Sequence, residues 1–179
     1  WFWKGITSLG NGGWFWIVLC ILMVVFAKTL GEKYPIKNGN CSWAVIGKAG
    51  WYGLLSMGVG ALITNVCLKN LVARTRPYEV VEGLVPLISK PTDYSFPSGH
   101  TAASFTSVMA LYLAGEKNLW IPALVLAVLI AFSRLYLYVH YPTDVLGGMI
   151  IGVISGALGY WLVKKAEESK KRNKKGYGY

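Results

Sequence analysis

The chain has 179 residues, which is enough for one domain, and it carries a net charge of +10. Its hydrophobic content of 54% and mean hydropathy of +0.44 exceed those of ordinary soluble domains, in which roughly 45–50% of residues are apolar. Because the apolar residues form long blocks, a membrane protein is favoured over a soluble one. Much of the positive charge lies in the C-terminal run Lys164–Lys175, a pattern that does not resemble the basic face of a nucleic-acid-binding domain.

Cysteine usage predicts neither a disulfide framework nor a zinc site. Cys20 and Cys67 lie inside apolar blocks, and Cys41 stands alone in a polar segment. Neither histidine of the chain has a nearby cysteine that could complete a zinc site. The chain opens at Trp1, so we expect that residues precede it, and we recognise no cleavable signal peptide.

Five apolar blocks are candidates for membrane crossing, which takes about 20 residues of helix. In chain order they are about Trp14–Leu30, Gly50–Leu68, Ser98–Ala114, Leu119–Tyr138 and Asp144–Val163. An aromatic segment from Trp1 precedes them and predicts a helix in the membrane interface, ended by the glycine-rich run Gly10–Gly13. The predicted fold is all-α, a polytopic membrane helical bundle with about five transmembrane helices plus an N-terminal interfacial helix.

The organisation between these blocks predicts one membrane domain and a tail. Residues 1–165 form the predicted membrane-embedded domain, and residues 166–179 form a basic tail. The segment Gly31–Ala49 is interpreted as a polar loop, and Pro77–Pro97 as a long loop that borders the functional site. Glycines four residues apart in the last block predict close helix packing within the chain rather than a dimer face; they are Gly148, Gly152 and Gly156.

The cations predict the orientation of the chain in the membrane. With five spans, 12 of the 18 cations fall on the side of the tail: Lys28, Lys33, Lys37, Lys48, Lys117, Lys164, Lys165, Lys170, Lys171, Arg172, Lys174 and Lys175. The other six fall on the opposite side: Lys4, Lys69, Arg74, Arg76, Lys90 and Arg134. Since cytoplasmic loops carry the excess of positive charge, the tail is predicted to be cytoplasmic and the opposite face extracytoplasmic.

Three polar motifs interrupt the apolar blocks on that opposite face. Charged groups are costly near hydrocarbon, so such a set usually marks a functional site. The motifs are Lys69 with Arg76-Pro77, Pro97-Ser98-Gly99-His100, and Ser133-Arg134 with His140 and Asp144. Together they could supply what phosphate-ester cleavage needs, namely cations for the phosphoryl oxygens, an in-line nucleophile and an acid for the leaving oxygen.

The first two motifs also have plainer interpretations. Lys69 and Arg76 could be snorkelling cations that mark the membrane boundary. Arg74, which has no matching partner in the sequence, is interpreted as such a boundary charge. In the second motif Ser98 can cap a helix whose free N–H groups face an anion, but an ordinary capped helix with an interfacial histidine fits as well.

The third motif is more specific. Pro142 suits the first turn of the last helix, which places His140 just before that helix and Asp144 within its first turn. Asp144 can then accept a hydrogen bond from one ring nitrogen of His140, leaving the other free to attack phosphorus. Arg134, about two turns earlier, can reach the same cavity as a bidentate phosphate ligand. The alternative is an interfacial histidine bonded to a helix-capping aspartate.

These motifs resemble the three signatures of the type 2 phosphatidic acid phosphatase superfamily. The matching strings are Lys69-x6-Arg76-Pro77, Pro97-Ser98-Gly99-His100 and Ser133-Arg134-x5-His140-x3-Asp144, and every signature position is filled. The resemblance covers roughly Gly50 to the end of the last block. The superfamily also includes glucose-6-phosphatase, bacterial acid phosphatases and vanadium haloperoxidases.

The resemblance implies a role for each motif residue. His140 would be the nucleophile that forms a phosphohistidine, Asp144 would orient it, and His100 would protonate the leaving group and later activate water. The phosphoryl oxygens would be bound by Lys69, Arg76, Ser98, Gly99 and Arg134. The resemblance implies no cofactor and no metal.

The expected partner is a membrane lipid phosphate or diphosphate whose chain stays in the bilayer, and no nucleic acid; the oligomeric state is left open. Small bacterial members of this kind suggest undecaprenyl diphosphate first, with phosphatidylglycerophosphate, phosphatidate or lipid A as alternatives. The expected location is the bacterial plasma membrane. A catalytically silent lipid-phosphate binding or transport protein is the non-enzyme alternative, although transport would favour an internal repeat or broken helices, and we find neither.

Overall fold

The computed structural model describes residues 1–31, 42–115 and 118–176, and all regular structure within them is helical. The predicted all-α class is confirmed. In chain order the helices are α1 (Phe2–Leu9), a 3-10 turn (Asn11–Gly13), α2 (Trp14–Thr29), α3 (Trp43–Ala61), a π-helical segment (Leu62–Leu68), α4 (Lys69–Val72), α5 (Pro77–Val80), α6 (Gly99–Leu113), α7 (Trp120–Tyr136) and α8 (Pro142–Gly176).

Five of these stretches correspond to the five predicted apolar blocks. Within the described ranges, three of them are long and apolar enough to cross a membrane: Asn11–Thr29, Trp43–Val80 and Pro142–Lys170. The apolar helix α7 is shorter, at 17 residues. Helix α6 has 15 residues and a run of buried serines and threonines, because it lies at the centre of the bundle against α3, α7 and α8.

One predicted boundary differs from the structure. Helix α3 begins at Trp43, because Ser42 caps it by accepting a hydrogen bond from the N–H of Val45 at 3.3 Å. The predicted loop Gly31–Ala49 is therefore wrong over residues 43–49. Residues 32–41 of that loop, which include Lys33, Lys37 and Cys41, lie outside the described residues, as does Lys117. Helix α8 continues without a break through residues 165 and 166 to Gly176.

Glycines let α8 approach the backbone of α6. A Cβ atom at Gly148 would lie 2.7 Å from the carbonyl oxygen of Ser98, and one at Gly152 would lie 2.6 Å from that of Ala102. Thr106 Oγ1 uses the close approach to donate a hydrogen bond to the Gly152 carbonyl at 3.1 Å. The predicted packing of these glycines within the chain is confirmed, and it holds the start of α6 next to the start of α8.

The N-terminal helix α1 lies against the end of α7 rather than apart from the bundle. The ring of Trp3 contacts those of Phe132 and Tyr136, at centroid distances of 5.1 and 5.4 Å. Gly12 and Gly13 have φ values of +57° and +70°, which glycine adopts without steric strain, and they turn the chain from α1 into α2. This turn lies beside the first turn of α6.

Candidate active site

A polar cavity of about 240 Å³ lies where the three sequence motifs meet the loop of residues 81–98. Six of the eight predicted site residues line it: Lys69, Arg76, Gly99, His100, Arg134 and His140. The other two, Ser98 and Asp144, lie behind the lining and are fully buried. The loop between the first two motifs contributes Lys90 and Asp93 to the wall, so it borders the cavity as predicted.

His140 presents one ring nitrogen to the cavity and the other to a carboxylate. It lies in the connection between α7 and α8, with its side chain buried. Its Nδ1 is 3.4 Å from Asp144 Oδ2, and its Nε2 is 3.4 Å from Arg76 Nη1. A carboxylate that accepts the Nδ1 proton leaves the lone pair of Nε2 on the cavity side.

Asp144 is held by several donors besides the histidine. Pro142 begins α8, so Asp144 lies in its first turn and accepts a hydrogen bond from the N–H of Tyr141 at 2.9 Å. The hydroxyl of Ser95 donates to the same oxygen, Oδ2. This network fixes the carboxylate before any substrate enters.

Arg74 completes that network, and the interpretation of it as a boundary charge without a partner is wrong. Its Nη1 donates to Asp144 Oδ1 at 2.7 Å and to Thr143 Oγ1 at 2.6 Å. Its guanidinium also stacks on the ring of Tyr141 at 3.9 Å. The sequence signal was its position only two residues before Arg76, in the non-helical connection between α4 and α5.

Arg76 is anchored deep in the wall of the cavity. Its Nη1 donates to the carbonyl oxygen of Val139 at 2.7 Å, and its Nε donates to that of Asp93 at 2.8 Å. The side chain is almost fully buried. The contact with Val139 ties the first motif to the residue next to His140, so the cation and the candidate nucleophile keep a fixed separation.

Asp93 is a site residue that sequence reasoning missed. Its carboxylate forms ion pairs with both Lys69 and Arg76, the latter at 2.6 Å from Nη2, although about half of its own side chain is exposed. The only available signal was that it is the sole aspartate of the loop Tyr78–Phe96, and nothing in its spacing indicated two cationic partners. In this arrangement a carboxylate occupies the cations that could bind a phosphoryl group.

The cations and the burial of the cavity set the protonation states of two groups in the loops. Partial burial opposes the ionisation of Asp93, but the hydrogen bonds and charges of Lys69 and Arg76 outweigh it and lower the pKa of the carboxyl to about 2. Burial, supported by Arg76 and Arg134, lowers the pKa of His140 to about 4 despite its hydrogen bond to Asp144. His140 is therefore neutral near pH 7, which is the nucleophilic form of an imidazole.

Arg134 reaches the cavity from the last turn of α7. Its Nη1 donates to Thr7 Oγ1 at 2.6 Å, and both side chains are buried. Its Nε is buried and has no hydrogen-bond partner within the described ranges. A buried guanidinium nitrogen without a partner is costly, so an anionic oxygen that reached this N–H would be stabilised there.

The second motif begins α6, but its serine points away from the cavity. Ser98 occupies the N-cap position, where its hydroxyl accepts a hydrogen bond from Thr101 Oγ1 at 3.0 Å and makes no capping bond. Gly99 lines the cavity beside Lys69. The ring of His100 also faces the cavity, where its Nε2 lies 2.8 Å from Asn11 Oδ1.

A second, apolar cavity of about 500 Å³ adjoins the polar one. It lies between the 3-10 turn with α2, helix α3 and helix α6, and residues such as Ile17, Leu54, Met57 and Ala103 line it. Four residues border both cavities: Lys69, Asp93, Gly99 and His100. A molecule with an anionic end and a hydrocarbon chain could therefore occupy both at once.

Among the described residues, no group of three or more histidine, cysteine or acidic side chains is arranged to hold a metal ion. The polar cavity instead gathers cationic and imidazole side chains around one carboxylate, a set suited to binding and attacking an anionic ester of phosphorus.

The chain is similar in sequence to members of one protein family. The sequence model of the PAP2 superfamily matches residues 49–168. An undecaprenyl-diphosphatase from Sulfolobus acidocaldarius is 33% identical over 73% of this chain and 64% of its own length, and phosphatidylglycerophosphatase B from Bacillus subtilis is 38% identical over 68% and 61%. The chain thus spans less than two thirds of the length of these two relatives.

A solved structure shares the fold over most of the chain. The crystal structure of a transmembrane PAP2-type phosphatidylglycerolphosphate phosphatase from Bacillus subtilis is 29% identical, covers 93% of this chain and 75% of its own, and superposes with a TM-score of 0.65. With more than half of its length matched by the family model and with helices long and apolar enough to span a bilayer, this chain is an integral membrane protein that belongs to the PAP2 superfamily.

Proposed function

We propose that this chain is a phosphatase that hydrolyses the phosphate monoester or diphosphate of a membrane lipid through a phosphohistidine on His140. The observation that carries the proposal is the junction of the two cavities at Lys69 and His100, where a cation and a candidate acid meet a space lined by apolar side chains. Each methylene buried in that space would contribute about 0.8 kcal/mol to binding, so the chain of a lipid would hold its phosphate at the reacting groups.

In the first step Nε2 of His140 attacks phosphorus while the bond from phosphorus to the leaving oxygen breaks. Arg76 and Arg134 bind the phosphoryl oxygens and neutralise the charge that builds up on them. His100 gives a proton to the leaving oxygen, which departs as a lipid alcohol or a lipid monophosphate. The first step leaves a phosphoryl group on the ring of His140, with Asp144 stabilising the charge on the imidazole.

In the second step water attacks the phosphorus of the phosphohistidine. His100, which has lost its proton to the leaving group, now takes one from the water, and the bond between phosphorus and Nε2 breaks. Inorganic phosphate leaves, and both histidines return to their starting states. Lys69 and Gly99 would bind oxygens of the phosphoryl group in both steps. Ser98 lies behind the residues that line the cavity, so it would act on the phosphoryl group only indirectly.

Undecaprenyl diphosphate is the substrate that we place first. The relative from Sulfolobus acidocaldarius is named for that activity, and the relative from Bacillus subtilis is named for phosphatidylglycerophosphate. Several cations around one cavity, with Lys90 at its edge, suit the larger charge of a diphosphate. Phosphatidylglycerophosphate, phosphatidate and lipid A remain the alternatives.

The distribution of charge supports a proposal for the membrane face on which the site lies. The proposed site lies at the end of the bundle opposite the basic end of α8, so the positive-inside rule supports an extracytoplasmic site and a cytoplasmic tail. Cysteine accessibility tests this: in a background in which the natural cysteines are serine, Lys90→Cys should react with a membrane-impermeant maleimide on intact cells and Arg172→Cys should not. The reverse labelling would overturn the proposed orientation.

The activity is tested by phosphate release from the purified protein in detergent with EDTA present. Undecaprenyl diphosphate, phosphatidylglycerophosphate and phosphatidate are compared, with His140→Ala beside each. We expect release that His140→Ala abolishes, and we expect the diphosphate to be fastest. A glycerolipid turned over faster would move the chain to phospholipid metabolism, and no release from any lipid would favour a binding or transport protein.

A further inference from the structure

The N-terminal segment of residues 7–11 reaches the candidate active site although it lies outside the region that the family model matches, residues 49–168. Two of its side chains contact two different site residues: Thr7 contacts Arg134, and Asn11 contacts His100. These contacts join helix α1 and the 3-10 turn to two residues that line one cavity.

The contact of Asn11 controls the ring of His100. Within the described part of the chain, Asn11 Oδ1 at 2.8 Å from Nε2 is the one side-chain partner of this ring. An amide oxygen accepts but does not donate, so the contact favours the ring with a proton on Nε2. The acid form of His100 is the imidazolium, which carries protons on both ring nitrogens, and an accepting oxygen at Nε2 stabilises it in the cavity, which Asn11 also lines.

The backbone at Gly10, just before the 3-10 turn, packs against the edge of the His100 ring. A Cβ atom at Gly10 would lie 2.7 Å from Cδ2 of His100 and 2.9 Å from Ile130, so only glycine permits this approach. The turn is itself anchored, because Trp16 at the start of α2 donates a hydrogen bond from Nε1 to Ser104 Oγ at 3.0 Å. The position of the acid therefore depends on the N-terminal segment.

The contact of Thr7 controls the guanidinium of Arg134. The hydrogen bond from Nη1 is 2.6 Å long, and no other side-chain bond of Arg134 occurs within the described ranges. The bond to Thr7 occupies Nη1 of Arg134, while the buried Nε of the same guanidinium has no partner among the described residues. Thr7 thus fixes the rotation of the guanidinium that determines where Nε points.

We propose that Thr7 and Asn11 are positioning residues of the active site, Thr7 directing Arg134 at a phosphoryl oxygen and Asn11 holding His100 as the acid for the leaving group. This inference rests on the proposed phosphatase function, and it extends the site to a segment that the family signatures do not contain. Helix α1 then serves catalysis as well as packing.

The two contacts predict different kinetic effects. Loss of Asn11 should impair proton donation, which an alkyl ester needs and an aryl ester with an acidic leaving group does not. Loss of the Thr7 acceptor should weaken the binding of phosphoryl oxygens for every substrate. A general misfolding of the site would instead reduce all of these together.

The Asn11 arm of the test measures the first turnover by rapid quench, so that only phosphoryl transfer to the enzyme is followed. Asn11→Ala should slow the reaction of phosphatidate about 10- to 100-fold, within the range for loss of part of general-acid catalysis. It should change that of 4-nitrophenyl phosphate by less than about threefold. Equal losses on the two esters, or no loss on either, would overturn the role of Asn11.

The Thr7 arm measures the affinity for vanadate, an anion that takes the place of the phosphoryl group. Thr7→Val keeps the shape of the side chain but removes the acceptor, and should weaken vanadate binding about tenfold, or about 1.4 kcal/mol. Thr7→Ser restores the hydroxyl and should restore binding. Binding that is unchanged in Thr7→Val, or equally weak in Thr7→Ser, would overturn the role of Thr7.

Ser8→Ala is the matched control, because Ser8 is exposed and its hydroxyl bonds only to the carbonyl of Gly5 in the described structure. It should behave as wild type in both arms. Wild-type protein that turns over neither ester would count against the proposed function, while the vanadate arm would still decide whether the N-terminal segment orders the anion site.

Discussion

Arg74 Nη1 lies 2.7 Å from Asp144 Oδ1, while the other oxygen of the same carboxylate faces Nδ1 of His140 at 3.4 Å. The aspartate thus stands between a cation that belongs to the first motif segment and a histidine that belongs to the third. An arginine outside the signature positions holds the carboxylate that would orient the nucleophile.

Removal of this arginine should impair chemistry more than binding. Arg74→Ala frees Asp144 Oδ1, so the carboxylate can rotate and His140 loses its alignment; we expect kcat to fall about 10- to 100-fold, as for a misplacement of about 1 Å, with KM little changed. Steady-state kinetics on the preferred lipid measure it, with the exposed Arg172→Ala as control. A kcat equal to that of wild type would contradict the role given to Arg74.

Asp93 should compete with anions for the cations of the cavity. Asp93→Asn removes the charge that pairs with Lys69 and Arg76, so the inhibition constant for inorganic phosphate should fall about tenfold, or about 1.4 kcal/mol. Glu82→Gln, an equal charge change at an exposed position on the same loop, should leave the constant unchanged. Weaker phosphate inhibition in Asp93→Asn would show that the carboxylate helps to build the anion site.

The protonation of His140 can be measured directly, because the chain has only two histidines. In His100→Gln, free of any purification tag, the one remaining imidazole should titrate by NMR with a pKa of about 4 rather than the usual 6.5. Since the folded pKa is the lower one, the unfolded chain binds more protons between these values, and stability should fall as the pH falls through that window.

The variant Asp144→Asn tests which groups set the pKa of His140. The carboxylate raises the pKa of His140, opposing the larger effect of burial, so its loss in the same background should move the titration to still lower pH. A pKa of 6 or above in the parent variant would mean that the ring is hydrated rather than buried.

Packing of α8 on α6 should limit stability. Gly152→Ala places a Cβ atom 2.6 Å from the carbonyl oxygen of Ala102, and because backbone must move, we expect a loss of about 1–3 kcal/mol, seen as a lower thermal midpoint in detergent. Gly58→Ala, in α3 where a Cβ would meet no atom within 4 Å, should cause no loss. Equal midpoints for the two variants would contradict the packing described here.

Sequence patterns predicted the helices and half of the residues that line the polar cavity, for physical reasons. Apolar blocks of membrane length can hardly form anything but helices, and Pro142 fixes the start of α8, so the relation of His140 to Asp144 followed from spacing alone. The convergence of Lys69 and Arg134 followed from the motifs lying at one end of the bundle.

The missed contacts depend on chain paths that no short spacing encodes. Asp93 reaches two cations because the loop after α5 folds back over α4, and Asn11 reaches His100 across 89 residues of sequence. The spacing of the second motif likewise did not indicate that the Ser98 hydroxyl accepts a hydrogen bond from Thr101 in the first turn of α6.

The central claim, that His140 carries the phosphoryl group, is tested most directly by trapping the intermediate. His100→Ala, in which water activation is lost, would be mixed with 4-nitrophenyl phosphate labelled in its phosphate, an ester whose acidic leaving group departs without a proton donor, and quenched in alkali. We predict a label that is stable to base, labile to acid, mapped by mass spectrometry to His140 and absent from the His100→Ala/His140→Ala double variant. Label on another residue, or wild-type turnover without any phosphoenzyme at His140, would contradict the account.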